Sequence, residues 1–535
     1  MHADLIVHNA RIYTLDPGQA WAQAVACTAG RIQAVGKDDE VLALAGPRTQ
    51  RIDAGGRLVL PGLTDSHVHF LNYAMRRQEV SLFGVRHIEE VRRRVRQAVE
   101  RTPPGGWVLG WGYDEIYWDK TPHRALLDDI APETPVLLRR MDMHSWWVNS
   151  AALRLANVTR ATPDMPDSRI ERDPDGEPTG VMREWYAMGL IQPHLPEPDQ
   201  ATLLRWLSEA IAEAHRLGLT GIQDQRVQRE GQLSFRLCQE LVRRNQFDLR
   251  MHMNVAADYL DEAASLGLQA GFGGDRLWIG HVKTFADGSM GSRTATMLEP
   301  FEGEPGNYGV EVVAPAEIAR LARRAEQAGL RLAVHAIGDR AVREVLDVFE
   351  ALRREGAPPD GLSLPHRIEH VQVIHPADLP RLSSCGVVAS MQPVHVMTDW
   401  VTADRVWGRR ARYAYAFRSL LQHGARLTFG SDAPVAPLNP MLGIYAALTR
   451  QDEQGEPQGG WYPEERLTLA EAIYGYTMAP ALVAGKQHLQ GSVTPGKWAD
   501  LTILSANLFE LAPTDIKDVT TYMTIFDGRV VYSQE

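Results

Sequence analysis

The stretch Leu330 to Arg354, LRLAVHAIGDRAVREVLDVFEALRR, changes its periodicity halfway along. Leu330 to Ala336 is a short apolar run, whereas from Asp339 to Arg354 the residues Val342, Val345, Phe349 and Leu352 recur at three- and four-residue spacing. The first pattern reads as a buried strand and the second as an amphipathic helix. A strand that must reach a parallel neighbour needs such a crossover helix, so the unit belongs to a parallel sheet covered by helices.

The same texture recurs outward in both directions. Strand candidates are Arg57 to Thr64, Leu217 to Asp224, Asp248 to Ala256, Leu277 to Phe285, Leu330 to Ala336, Pro365 to Val371, Gly386 to Gln392 and Arg426 to Ser431. Ala201 to Arg216, Ala314 to Ala328 and Asp339 to Arg354 are helix candidates between them. Eight strand–helix units predict an α/β TIM (β/α)8 barrel. Residues 72–200 are too long for one crossover and carry many Pro, Gly and Trp, and they read as an insertion after the first barrel strand. Such an insertion is expected to overhang the catalytic face, where the βα loops emerge.

At the two ends the texture alternates polar and apolar residues. Asp4 to Thr14, Ala22 to Val35, Ala499 to Leu504 and a Val519 to Tyr532 hairpin around Asp527-Gly528 predict one small β-sandwich built from both termini. The expected domains are residues 1–56 and 486–535 for that sandwich, and 57–485 for the barrel with its insertion.

Composition narrows the function. The 535 residues are 44% hydrophobic and 23% charged, as in ordinary globular proteins. A net charge of −11, from 56 basic and 67 acidic residues, argues against a surface that tracks phosphates, so no nucleic acid is expected as a partner. Cys27, Cys238 and Cys385 lie far apart without CxxC spacing, and neither a signal peptide nor an apolar run of membrane-spanning length is read, so the expected setting is cytoplasmic with no membrane partner. The arginine run Arg92, Arg93, Arg94 and Arg96 shares a helix with Glu89, Glu90 and Glu100 and reads as a solvated face.

Chemistry concentrates where strand candidates meet their loops. In PGLTDSHVHF, His67 and His69 are two apart, so on a strand both imidazoles point to one side. His335 in LAVHAIGD, His370 in HRIEHVQ and Asp432 in LTFGSDAP end three further candidates, and a barrel brings all such ends to one opening. Four histidines and an aspartate suit Zn²⁺. Lys283, in GHVKTFADGSMGSRTA, either pairs with an acid such as Asp287 or, as a neutral amine, adds CO₂ to become a carbamate that bridges two cations.

In this order PGLTDSHVHF, VKTFADGSMGSRTA, VHAIGD, IEHVQ and FGSDAPV resemble the metal-dependent amidohydrolase superfamily, in the amidohydrolase family 3 branch that includes N-substituted formamide deformylase. The likeness also takes in ADLIVHNARIYTLD and GSVTPGKWADLTIL at the ends. It implies one metal at His67, His69 and Asp432, a second at His335 and His370, and a carboxylated Lys283 between them. His366 is the alternative to His370, which is preferred because it sits nearer the strand's C-terminal end. The cofactor expected is one or two Zn²⁺ ions, with Mn²⁺ or Co²⁺ as substitutes.

The expected reaction is hydrolysis of a non-peptide amide in a small molecule, Asp432 taking a proton from the attacking water and returning it to the leaving group. Ester, lactone or deaminating hydrolysis uses the same site, and a barrel that binds without catalysis is the remaining alternative. His144, in RRMDMHSWWVN, is a candidate donor to the oxyanion or substrate. Trp107, Trp111, Tyr113, Tyr117, Trp118, Trp146 and Trp147 collect in the insertion, where Trp111 and Trp146 are candidate substrate contacts against a packing role. Arg293 either binds a substrate carboxylate or holds its loop. Assembly as a homodimer is the remaining partner expectation.

Overall fold

Seven of the eight apolar runs become strands of one sheet in the computed structural model, which describes residues 2–115, 118–141, 145–164, 168–225, 231–356 and 364–534. The strands are β1 (Leu63–Val68), β2 (Leu219–Asp224), β3 (Arg250–Ala256), β4 (Leu277–Phe285), β5 (Leu332–Ala336), β6 (Arg367–His370), β7 (Val388–Met391) and β8 (Arg426–Phe429). They pair in chain order, all parallel. Ser66 Oγ and Thr428 Oγ1 lie 2.6 Å apart, and Val68 forms a parallel bridge to Ala433, so the first and last strands meet and the sheet rolls into a TIM barrel. Parallel pairing puts every strand's C-terminal end at one face.

The first run is corrected. Arg57 to Thr64 is not one strand but divides at Gly62. Leu58–Pro61 pairs with Arg11–Tyr13 and with Leu501–Leu504 in a terminal sheet, and the barrel strand begins at Leu63. Both halves are buried throughout, so no polar residue marks the boundary. A side chain at Gly62 would meet Thr220 Oγ1 at 2.0 Å, which is why the crossing point between the sheets has none.

Contacts divide the chain into two compact units, residues 1–71 with 208–535, and residues 72–207. In the first unit the chain ends add a four-stranded sheet of Arg31–Gly36, Ala24–Thr28, Ala3–His8 and Ala45–Asp53, and a six-stranded sheet that includes Leu58–Pro61, Leu501–Leu504, Thr521–Phe526 and Arg529–Ser533. Leu5, Val7, Val25 and Ile32 from one sheet join Val59, Leu501, Ile503 and Ile525 from the other in a single hydrophobic cluster. The second unit is a six-stranded sheet centred on Val136–Arg140 and Ser145–Val148, with a separate core on each face. Among the described residues no helix is long and apolar enough to cross a membrane.

Candidate metal centre

Two segments that meet at the barrel seam set the first part of the centre. The backbone N–H of Asp432 donates to His67 O at 2.7 Å, and that of His69 donates to Ala433 O at 2.9 Å. Asp65 ties them further, accepting from the backbone N–H of His67 at 3.0 Å and of Ser431 at 3.0 Å. A side chain at Gly430 would meet His67 N at 2.4 Å and Asp65 Oδ1 at 2.6 Å, so the close approach requires glycine. Asp432 itself has a φ of 61°, a left-handed turn that brings its carboxylate back over β1. Burial raises the Asp65 carboxyl to about 7, despite the amides that stabilise its anion.

His335 and His370 form the second part. They end adjacent strands in register Ala336↔His370, and their ring centroids are 4.5 Å apart, with His370 also 4.8 Å from the His67 ring. His335 Nε2 is 2.8 Å from Gly288 O, so this nitrogen carries the proton and Nδ1 keeps a lone pair. His370 Nδ1 is 2.8 Å from Gln392 Oε1, which leaves Nε2 as the acceptor. Gly288 is held in turn by its neighbour Asp287, whose carboxylate accepts from the amides of Thr296, Ile337 and Gly338 at 2.9, 3.0 and 2.9 Å. Lys283 is buried on β4, and its ammonium, with burial the larger cause, lowers the basicity of His335. Burial in turn lowers Lys283 to about 8, while Glu369 and Asp432 oppose the shift.

The donor set asks for a cation. His67 Nδ1 lies 2.6 Å from Glu369 Oε2, so the ring's proton sits on Nδ1 and Nε2 can only accept. Burial depresses His67 to about 4 and His335 to about 3, so neither is an imidazolium at neutral pH. Burial opposes ionisation of Asp432, but its surroundings, including a hydrogen bond with His69, outweigh it and hold the carboxyl well below the usual carboxylate range. Yet His67 Nε2 and Asp432 Oδ1 are buried without hydrogen-bond partners and face each other at 3.4 Å. His69 Nε2 stands at the same 3.4 Å from Asp432 Oδ1. Ligands bound at about 2.1 Å to one tetrahedral ion sit about 3.4 Å apart. Among the described residues, His67, His370 and Asp432 bring their ligand atoms within 4.8 Å of one another.

Other residues singled out by sequence have the following surroundings. His366 accepts from the Leu332 amide at 3.0 Å and stacks on Phe349, away from this group. Arg293 pairs with Glu304, which holds its loop. Trp146 packs with Leu137, Val148, Ile170 and Met182 in a core of the second unit, and Trp111 is half-buried beside Phe83. His144 and Tyr117 lie outside the described residues. Sequence reasoning missed Glu369, Arg367, Gln392 and Asp65. Their only signal is a charged or amide side chain inside or just beyond a strand that otherwise reads as apolar.

A parallel eight-stranded barrel whose strand ends bring His67, His370 and Asp432 within 4.8 Å of one another presents the ligand set of a metal site. The amidohydrolase family matches residues 50–532, and the chain belongs to it. Protein LONG AFTER FAR-RED 3 of Arabidopsis thaliana is 33% identical over 99% of this chain and 92% of its own. N-substituted formamide deformylase of Arthrobacter pascens is 28% identical over 99% of this chain and 98% of its own. The crystal structure of a metal-dependent hydrolase from Pyrococcus horikoshii superposes with a TM-score of 0.77 at 27% identity, covering 95% of this chain and 99% of that one. The protein is a metal-dependent hydrolase of the amidohydrolase family.

Proposed function

We propose that the protein hydrolyses the carbon–nitrogen bond of a small, non-peptide amide, with Zn²⁺ as its metal. The observation that carries the reading is the pair His67 Nε2 and Asp432 Oδ1, two buried acceptors 3.4 Å apart with no donor between them. His67, His69 and Asp432 would hold one ion. His335 through Nδ1 and His370 through Nε2 would hold a second, and Lys283, carboxylated by adding its amine to CO₂ with loss of a proton, would join the two. When bound, the metal supplies a water acidified toward neutral pH and a Lewis acid for the substrate carbonyl.

The chain's own groups then move the proton. The Asp432 carboxylate, ionised and fixed over β1, accepts the proton that the attacking water loses and delivers it to the departing nitrogen. Glu369 and Gln392 keep the His67 and His370 rings from rotating, so neither competes for that proton. The amide as the bond cleaved is supported by the relative named for deformylating N-substituted formamides. Purified protein assayed for bound metal, then with matched anilides, alkyl formamides, esters and lactones, tests the reading. Zinc-dependent turnover of the amides is expected. Preference for esters or lactones would overturn the bond assignment, and a protein that binds no Zn²⁺, Mn²⁺ or Co²⁺ would overturn the site.

A further inference from the structure

The interior of a (β/α)8 barrel is filled by layers of branched apolar side chains. Directly beneath the centre described above, this barrel instead buries an ion pair. Arg367 and Glu369, two apart on β6, are both fully buried, and the Arg367 Nε faces Glu369 Oε1. Arg367 Nη2 donates to Ser66 O at 2.7 Å, to Ser390 Oγ at 2.6 Å and to Glu369 Oε2 at 3.1 Å, while Nη1 donates to Gln223. Gln223 is fixed by its own bond to Pro480 O at 2.9 Å. The guanidinium is thus clamped from β1, β2, β6 and β7, and what it presents is one carboxylate. That carboxylate accepts a hydrogen bond from His67 Nδ1–H at 2.6 Å.

A buried ion pair is a poor way to stabilise a core, since well-packed apolar residues of the same volume are often as good or better. Its presence needs another reason, and the hydrogen bond to His67 supplies one. Without an acceptor at Nδ1 the ring could hold its proton on Nε2, the atom that faces Asp432. We infer that Glu369 is a positioning residue for the metal, locking His67 as an Nε2 ligand, and that Arg367 serves to hold Glu369 in place. The inference rests on the metal reading above and assigns what sets the affinity of that site.

The test measures metal affinity rather than turnover. Metal-free protein is titrated with Zn²⁺ against a chromophoric chelator, and the thermal unfolding of each metal-free form is recorded beside it. Glu369→Gln keeps the size but loses the charge, and its Zn²⁺ affinity is expected to fall about 10- to 100-fold. Arg367→Met combined with Glu369→Met removes the pair as a unit, so no buried charge is stranded. It is expected to fold with a metal-free Tm at or above that of the wild type while losing affinity to at least the same degree. Wild-type affinity in either variant would overturn the inference, as would lowered metal-free stability with unchanged affinity, which would mark the pair as structural. Wild-type protein that binds no Zn²⁺ would instead overturn the metal reading itself.

Discussion

Lys283 and Arg293 show how differently two cations near one loop are used. Lys283 is buried among the imidazoles, with its Nζ 4.9 Å from the Phe285 ring centroid. If it joins two ions as a carbamate, Lys283→Ala should lose activity to background, and short carboxylic acids at high concentration should restore part of it by placing two carboxylate oxygens in the vacated volume. Assays with and without propionate check this, and full activity in the untreated variant would count against the bridge. Arg293 is more than a third exposed and already engaged by Glu304. Arg293→Ala should therefore change stability by no more than about 1 kcal/mol, the scale of an exposed ion pair, with KM little altered. A large rise in KM alone would restore it as a substrate contact.

At the scale of elements, two positions separate packing from chemistry. Gly430 lies against the His67 backbone, and Gly430→Ala should push the Asp432 turn away from β1, costing roughly 1–3 kcal/mol by overpacking and most of the bound metal. Thermal unfolding and metal content would show both effects together. Trp146 is almost fully buried in a core of the second unit, so Trp146→Ala should cost about 3–5 kcal/mol and depress all substrates alike. A change in selectivity between aromatic and alkyl amides would instead make it a pocket wall. The same two kinds of residue explain what could be read from sequence. Seven barrel strands were legible because a strand covered on both faces is an apolar run bounded by turn residues. The first was misplaced because LVLPGL runs unbroken from a terminal sheet into the barrel, and burial in both places erases the boundary. His67, His69, His335, His370 and Asp432 stood out because imidazoles and acids at strand ends have few structural uses. Glu369 and Arg367 did not, because a charge inside an apolar strand has meaning only through distant partners, His67 at 302 residues from Glu369 and Gln223 at 144 from Arg367.

For the molecule as a whole, the centre is a liability when empty. Three strand ends and the β1–β8 seam converge on acceptor atoms that repel one another, and the seam is where the barrel closes. A cation there offsets that repulsion in the folded state only, since the ligands from β1 lie hundreds of residues from His335, His370 and Asp432 in the unfolded chain. Linkage then requires that metal raise stability by RT ln(1 + [M]/Kd), about 2.7 kcal/mol when free metal exceeds Kd a hundredfold. Dialysis against a strong chelator should accordingly lower the Tm of the barrel unit, and added Zn²⁺ should return it in a concentration-dependent way. His67→Ala should remove most of that metal-dependent increment, because it deletes one of the converging ligands while Arg367 still pairs with Glu369. The loss should be confined to the metal-loaded form: with His67 gone, the metal-free protein no longer opposes two acceptors at 3.4 Å, so its Tm should fall far less than that of the loaded protein. Scanning calorimetry of both proteins with and without Zn²⁺ decides the matter, and an equal Tm drop in the two forms would mean that His67 supports the fold rather than the ion.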